Sequence, residues 1–321
     1  MGERAEVVVG VDVGGTGVKA AGVTRGGSVV ERIERPTDPS AATKSLIGVV
    51  EDLLGRLDSG GHHVVAVGVG VAGFVDFAAG AVTFSPNTVY DDPQIATAVS
   101  LRFGLPVFVD NDANAAVWGE RTFGCCPGAN DVVMLTLGTG IGSGIVANGE
   151  LVRGVTGAGA ELGHMVVDPS GPPCPCGLRG CLEQLASGTA IARLAHLALG
   201  SNPDSAIAAF AGPGGEITGE SVSKAAREYD ETARDVLRKA GVALGIGLSN
   251  VANVFDPELI VLGGSVVNAG EAYLGAARDQ LARMTKAQRR RPMRLDVAKL
   301  RGDAGLVGAA ALAWTEKVAA A

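Results

Sequence analysis

The sequence predicts an α/β fold in two domains, and three observations carry that expectation. Its 321 residues suit two domains of ordinary size. An apolar, β-branched run that ends in a glycine turn occurs twice, as VVVGVDVGGTG from Val7 and VVMLTLGTGIG from Val132, and a doubled unit suggests two related halves. Around these units, short apolar runs of strand character alternate with helical patterns, as α/β layering requires.

Composition narrows the function classes. Hydrophobic residues make up 47% and charged residues 19%, enough for a sizeable core and too apolar for disorder. The 48 glycines are scattered among apolar runs, which reads as tight turns and ligand loops. Aromatics are only 4% and the formal net charge is −7, which argues against a nucleic-acid surface of basic patches and stacking rings. An anionic ligand must then be held by local backbone N–H groups or by a cation. The N-terminal segment lacks the order of a signal peptide, and no uncharged apolar run reaches membrane-spanning length. The expected location is the cytoplasm, with no membrane partner. There the five cysteines read as thiols or metal ligands rather than disulfides.

In chain order, Val7 to Asp12 reads as a strand that runs into DVGGTGVK. Gly14 and Gly15 offer backbone freedom, Thr16 a hydroxyl and Lys19 a nearby positive charge, so the turn suits a phosphate. Taken alone, it reads first as an ordinary hairpin turn. It is not a Walker A loop, because no Gly-Lys-Ser/Thr stands at the required spacing. Strands over Val18 to Val23 and Ser28 to Ile33 complete a meander. A helix closes over Glu51 to Leu57, and Val64 to Val71 reads as a buried, parallel strand. The loop that follows has the turn residues of a ligand-facing segment, with Asn87 as its candidate ligand contact. Leu105 to Val109 forms a strand ending in DNDANAA, and Ala113 to Arg121 a helix. Acids and amides at the carboxyl end of a strand stand where α/β folds bind ligands. Asp110, Asn111 and Asp112 also fit a simple helix cap, and both roles stay open on this ground.

The second turn presents Gly138, Thr139, Gly140, Gly142 and Gly144. If each half offers one glycine-and-threonine turn, the pair can grip a polyphosphate. Ile260 to Ser265 adds a strand ending in Gly263-Gly264 ahead of a helical pattern, which suits a nucleotide. Between these lies the densest chemistry of the chain. His164, Cys174, Cys176 and Cys181 give H-x9-C-x-C-x4-C, a donor set for tetrahedral Cys3His zinc that is closed to water and therefore structural. Cys125 and Cys126 read as small buried residues. Ser187 caps a helix to Leu199, and 202–219 reads as a surface connection. Ser221 to Val254 reads as two helices joined near Tyr229 and Asp230, with Gly241, Gly245 and Gly247 allowing close packing. Lys286, Arg289, Arg290 and Arg291 form a solvated basic run. The final helix, Ala304 to Ala320, packs back on the first domain.

These pieces resemble the ROK family of bacterial sugar kinases, and most closely its glucokinases. The resemblance spans DVGGTGVK at 12–19, DNDANAA at 110–116, LGTGIGSGIV at 137–146, GAGAELGH at 157–164 and CPCGLRGCLEQ at 174–184, whose order and spacing match together. It implies an actin-like, ribonuclease-H-like ATPase fold, with two α/β domains flanking a central cleft. The expected division is 1–112, with the helix of about 303–321, against 113–302. The resemblance further implies Asp112 as general base, with Asn111 beside it on the sugar, and Glu161, His164 and Glu183 as ligands of sugar hydroxyls. His164 would use one ring nitrogen for zinc and offer the other to the sugar. Asp12, Gly14, Gly15, Thr16, Thr139 and Gly140 match the phosphate turns, and Gly263 and Gly264 the adenosine side.

The implied reaction is ATP-dependent phosphorylation of the 6-hydroxyl of a hexose, glucose first, with magnesium held partly through Asp12 and structural zinc in the knuckle. A homodimer or homotetramer is the implied assembly. Gly17-Val18 stands where many relatives carry Lys and Ile or similar residues, and TGVK also resembles the polyphosphate-using glucokinases. Kinases of N-acetylated amino sugars, mannose or fructose remain alternatives, distinguished by the loop from Phe84 to Asp92 and the surroundings of Glu161 and Glu183. A sugar-sensing regulator is disfavoured, because Asp112 is present and the strand opening at Val7 leaves no room for a helix-turn-helix domain.

Overall fold

The computed structural model describes residues 4–86, 88–284 and 291–320. Asn87 and the basic residues Lys286, Arg289 and Arg290 lie outside them. Two compact units divide the chain: Met1–Asn130 with Gly144–Ala160 and Ala298–Ala321, and Asp131–Ser143 with Glu161–Val297.

The first stretch opens with the hairpin β1 (Ala5–Val13) and β2 (Gly17–Thr24), with Asp12 opposite Lys19. β3 (Val29–Pro36) extends it antiparallel. In α1 (Ala42–Ser59), Leu46, Val49, Val50, Leu53 and Leu57 recur at helical spacing and are buried, which makes one apolar stripe. β4 (His62–Val71) pairs parallel with β1, and its residues from Val65 onward are all buried, as expected for a strand covered on both faces. A small hairpin of β5 (Phe74–Asp76) and β6 (Ala81–Phe84) precedes α2 (Ile95–Phe103). β7 (Val107–Asn111) pairs parallel with β4 and leads directly into α3 (Asp112–Phe123). The sheet order is β3-β2-β1-β4-β7.

Beyond residue 130, β8 (Val132–Leu137) turns into β9 (Ile141–Ala147), within which the chain passes from the second unit back to the first, followed by β10 (Glu150–Leu151). The second unit resumes with a 3-10 turn at Leu162–His164, then α4 (Leu182–Ala186), α5 (Gly188–Ser201), a short turn at Ala206–Phe210, α6 (Gly219–Arg227) and α7 (Glu231–Phe255). β11 (Leu259–Gly263), α8 (Glu271–Met284) and β12 (Arg294–Val297) complete it, with β11 parallel to both β8 and β12. α9 (Ala304–Ala320) returns to the first unit.

The alternation of β1 assigns its faces. Val7, Val9 and Val11 join the core beneath α1 and α2, while Val8 joins Leu306, Ala310, Ala313 and Trp314 of α9. A Cβ at Gly10 or Gly68 would collide with the α9 backbone at Leu306 and Ala309, so these two glycines seat the helix on the sheet. Likewise Gly241 and Gly245 let α7 approach α8 at the backbone of Tyr273 and Ala277, and Gly247 admits Leu182.

α3 and 144–160 fall in the first unit, whereas the sequence pattern places them in the second domain. α3 packs on α9, with Gly119 against Gly308 and Ala304 and Trp118 Nε1 donating to Thr315 Oγ1 at 3.3 Å. Residues 144–160 are tied to the same unit by an ion pair between Arg153 and Asp110. Packing partners of this kind leave no periodic trace in the sequence.

Candidate functional site

In the first unit, the turn joining β1 to β2 is closed by Gly14 N–H donating to Gly17 O at 3.0 Å. It is braced by Thr37, whose Oγ1 donates to Gly14 O at 2.7 Å and whose N–H donates to Thr16 O at 3.2 Å. Neither Gly14 nor Gly15 takes a left-handed backbone, and a Cβ at Gly15 would meet nothing nearer than Thr88 Oγ1 at 3.8 Å. Neither conformation nor packing therefore demands glycine at 15, and the bare, exposed tip leaves room for a ligand against the backbone. Asp12 is the last residue but one of β1, paired across the hairpin with Lys19. Burial raises its pKa, and Lys19 across the hairpin opposes the rise. Gly305, at the start of α9, approaches so closely that a Cβ there would stand 3.0 Å from Asp12 Oδ2. A half-buried carboxylate beside a glycine turn is a fitting anchor for a divalent cation.

The DND sequence crosses from β7 into α3, and its three polar residues separate by geometry. Asp110 is buried, and its carboxylate is engaged by three donors: Asn111 N–H at 2.8 Å, Asn114 Nδ2 at 2.9 Å and Arg153 Nε at 2.8 Å. The Arg153 guanidinium in turn lies 3.6 Å from the Phe77 ring centroid, a stacked cation. Asn111 is the N-cap of α3. Its Oδ1 accepts from Ala113 and Asn114 N–H, and its Nδ2 donates to Gly73 O at 3.1 Å. Its amide keeps one N–H for a ligand. Asp112 occupies the first position of the helix and accepts from Ala113 N–H at 2.9 Å. A negative charge there is favoured by the helix N-terminus.

In the second unit, the turn from β8 to β9 is held by Gly138 N–H donating to Gly140 O at 2.9 Å. The start of α5 clamps it, through Gly188 N–H to Gly138 O at 2.8 Å and Thr189 Oγ1 to Thr139 O at 2.9 Å. Gly140 is glycine for a specific reason: a Cβ there would strike the Glu183 carboxylate, whose Oε2 accepts from Ile141 N–H at 3.0 Å. Ser143 Oγ accepts from Leu162 N–H at 2.9 Å, and Gly163 lies against Ile141 O. These contacts dock the turn carrying Glu161 and His164 against β9. Burial raises the Glu161 pKa, with the charge of Glu183 adding to the rise and His164 opposing it, so the three side chains share one electrostatic environment. His164 Nε2 lies 4.0 Å from Glu161 Oε2.

The other His164 nitrogen faces the cysteines, with Nδ1 3.5 Å from Cys174 Sγ, while Cys176 Sγ and Cys181 Sγ are 3.6 Å apart. All four donor atoms lie within 4.8 Å of one another. Zinc bonds of about 2.3 Å to sulfur and 2.0 Å to nitrogen place neighbouring donors of a tetrahedron about 3.5–3.8 Å apart. The donor set and spacing thus fit a Cys3His metal centre. A hydrogen bond from the Leu178 backbone is the chief cause lowering the Cys176 thiol, while burial pushes Cys181 up to about 12. Thiols so crowded ionise together only when a cation neutralises them. Left-handed Gly177 and Gly180 and the bridge between Val166 and Cys181 close the knuckle.

The second unit also holds a cavity of about 820 Å³, lined by Gly138, Thr139, Thr218, Ser223, Lys224 and Ser265 among others, within the size range of small-ligand sites. Gly263 and Gly264 lie just before its wall. Gly264 has φ 84°, and a Cβ there would meet Leu137 N at 2.7 Å. Gly264 thus lets the end of β11 lie against β8, while Ser265 and Val266 line the cavity. Sequence reasoning missed Thr218, Ser223 and Lys224. The available signal was the reciprocal cap of α6, in which Thr218 and Ser221 each accept from the other's N–H. Arg153 left no signal.

The ROK family pattern matches residues 8–316. A glucokinase of Streptomyces coelicolor is 39% identical over 314 residues, covering 96% of this chain and 97% of that protein. A glucokinase of Thermotoga maritima is 35% identical over 306 residues, covering 95% and 96%. The crystal structure of a ROK family glucokinase from Streptomyces griseus in complex with glucose and AMPPNP superposes with a TM-score of 0.83 at 39% identity, covering 96% of this chain and 99% of that one.

Proposed function

The chain belongs to the ROK family, and we propose that it is a glucokinase, transferring the γ-phosphoryl group of ATP to the 6-hydroxyl of glucose. Its fold is the actin-like, ribonuclease-H-like ATPase fold of its structural relatives. The observation that carries the assignment of the base is the engagement of the neighbouring carboxylate, Asp110. Asp110 is buried and engaged by three donors, Arg153 among them, so accepting a further proton would disrupt its ion pair. Asp112, at the head of α3 beside the remaining N–H of Asn111, takes the proton of the 6-hydroxyl as that oxygen attacks phosphorus in line. ADP departs, and sugar phosphate, ADP and one proton are the products. Catalysis here comes mainly from positioning and charge neutralisation.

Glu161, Glu183 and His164 Nε2 bind the sugar hydroxyls, supported by their shared electrostatic environment. The nucleotide takes the cavity beside Thr139 and Lys224. Magnesium, held through Asp12, would neutralise phosphate charge. Structural zinc, held by His164, Cys174, Cys176 and Cys181, would cross-link the knuckle. The reading includes a cytoplasmic homodimer or homotetramer. Among the described residues no helix is long and apolar enough to cross a membrane.

A coupled assay of a hexose panel against ATP and polyphosphate tests the proposal. Glucose with ATP should give the highest kcat/KM; turnover of no hexose would refute it, and preference for an N-acetylated amino sugar or for polyphosphate would reassign the substrate or the donor.

A further inference from the structure

Two hydroxyls in the first unit are buried and unsatisfied, and both lie beside the residues assigned to the chemistry. Thr88 is 6% exposed, and neither its Oγ1 nor the Tyr90 hydroxyl has a hydrogen-bond partner among the described residues. Thr88 Oγ1 stands behind the first glycine turn, 3.8 Å from where a Gly15 Cβ would lie. The Tyr90 ring packs against the core that contains Val11, Val13 and Val71. Its hydroxyl feels the charges of Asp112 and Asp12, which add to burial in raising the phenol well above its ordinary range. The phenol is therefore neutral and a hydrogen-bond donor at any working pH.

The backbone that carries these side chains is fixed. Val89 N–H donates to Pro39 O at 3.1 Å, and Val89 O accepts from Ala42 N–H at 3.1 Å. Asp91 Oδ1 accepts from Thr43 N–H at 3.0 Å and Lys44 N–H at 3.3 Å, and so caps α1, whose own N-cap, Ala41, supplies no side-chain acceptor. An unsatisfied buried hydroxyl costs stability, and a rigid segment that bears two of them next to a bare glycine turn is preorganised for a ligand rather than for the fold.

We propose that Thr88 and Tyr90 are further active-site residues, whose hydroxyls donate to phosphoryl oxygens of the nucleotide, Tyr90 to the group in transfer and Thr88 to phosphate at the Gly15 turn. This rests on the kinase reading above. The transferring group is an oxygen anion approached by two carboxylates, Asp12 and Asp112, so neutral donors stabilise its charge without attracting either carboxylate out of place. Tyr90 donates to the oxygen on which charge concentrates in the transition state, and its effect falls on kcat.

The test compares Tyr90→Phe and Thr88→Val with the intact chain, in steady-state turnover of glucose with MgATP and in thermal unfolding without ligand. Tyr90→Phe is expected to lower kcat about 10- to 100-fold, the range for a hydrogen bond to a charged group, with the glucose KM within about twofold. Thr88→Val is expected to raise the ATP KM. Without ligand, neither variant should melt lower than the intact chain, because each loses an unsatisfied group. Unchanged kcat in Tyr90→Phe, or a raised glucose KM at unchanged kcat, overturns the phosphoryl assignment. A lower melting temperature without ligand in both variants makes the hydroxyls structural and also overturns it, whatever the substrate proves to be. Failure of the intact chain to phosphorylate glucose counts instead against the kinase reading, and the unfolding comparison still decides the hydroxyls.

Discussion

The two glycine turns look alike in the sequence and are built for different reasons. In the turn after β1, Gly15 meets no protein atom that would exclude a side chain, and burial raises the pKa of the half-buried Asp12 against the opposing charge of Lys19. In the turn after β8, Gly140 is glycine because the Glu183 carboxylate occupies the space of its Cβ, and Glu183 is itself bonded to the turn at Ile141 N–H. The tip of one turn is open, and the other is occupied by a carboxylate of its own unit. A repeated motif therefore predicts a shared shape, but the neighbours of each copy decide its task.

The largest expected effect tests whether the first unit carries the chemistry. Asp112→Asn should lower kcat by about two to four orders of magnitude with the fold intact by circular dichroism, and near-normal turnover would remove Asp112 as the base. Next in size, zinc loss tests whether the second unit holds the sugar. Cys176→Ala, or chelation of the intact protein, should remove about one metal ion per chain. It should lower the melting temperature and raise the glucose KM about tenfold, in the range found when supporting groups of a metal site are lost. A metal-free protein of full activity would separate the knuckle from the sugar.

The two turns are compared directly by paired substitutions. Gly140→Ala should displace Glu183 and raise the glucose KM by about tenfold or more, since a misplaced binding group costs roughly that much. Gly15→Ala should leave the glucose KM unchanged and act on ATP, with apo stability altered by less than about 0.5 kcal/mol. Equal effects on glucose from both would erase the distinction drawn here. The smallest effect is read in stability. Asp12→Asn should raise the apo melting temperature near pH 7, because burial raises the Asp12 pKa in the folded state. A raised folded pKa gives stability that is complete below the unfolded value and is lost as pH rises through the folded one. The intact chain should therefore close the gap as pH falls into the carboxylate range.

Much of this was legible along the chain. β8 spans Val132–Leu137 and α9 spans Ala304–Ala320, where their apolar patterns place them, and the break at Tyr229 and Asp230 separates α6 from α7. The knuckle donors converge as their spacing implies. Less legible was Asn111, where cap and ligand readings compete in the sequence; the structure gives it the cap and leaves one N–H over.

Local pattern, spacing and donor chemistry determined the α/β class, the strands and helices of strongest pattern, the Cys3His donor cluster and the acids worth watching, because each depends on residues a few positions apart. Only the tertiary structure decided that Asp110 is the partner of Arg153, which reaches it from 43 positions away. It alone showed that a Cβ at Gly140 would displace the Glu183 carboxylate and that α3 falls in the first unit, and it alone exposed two buried hydroxyls, at Thr88 and Tyr90, with no partner among the described residues. These follow from close packing between segments remote in sequence, where the volume and charge of one side chain are set by neighbours that no local period encodes.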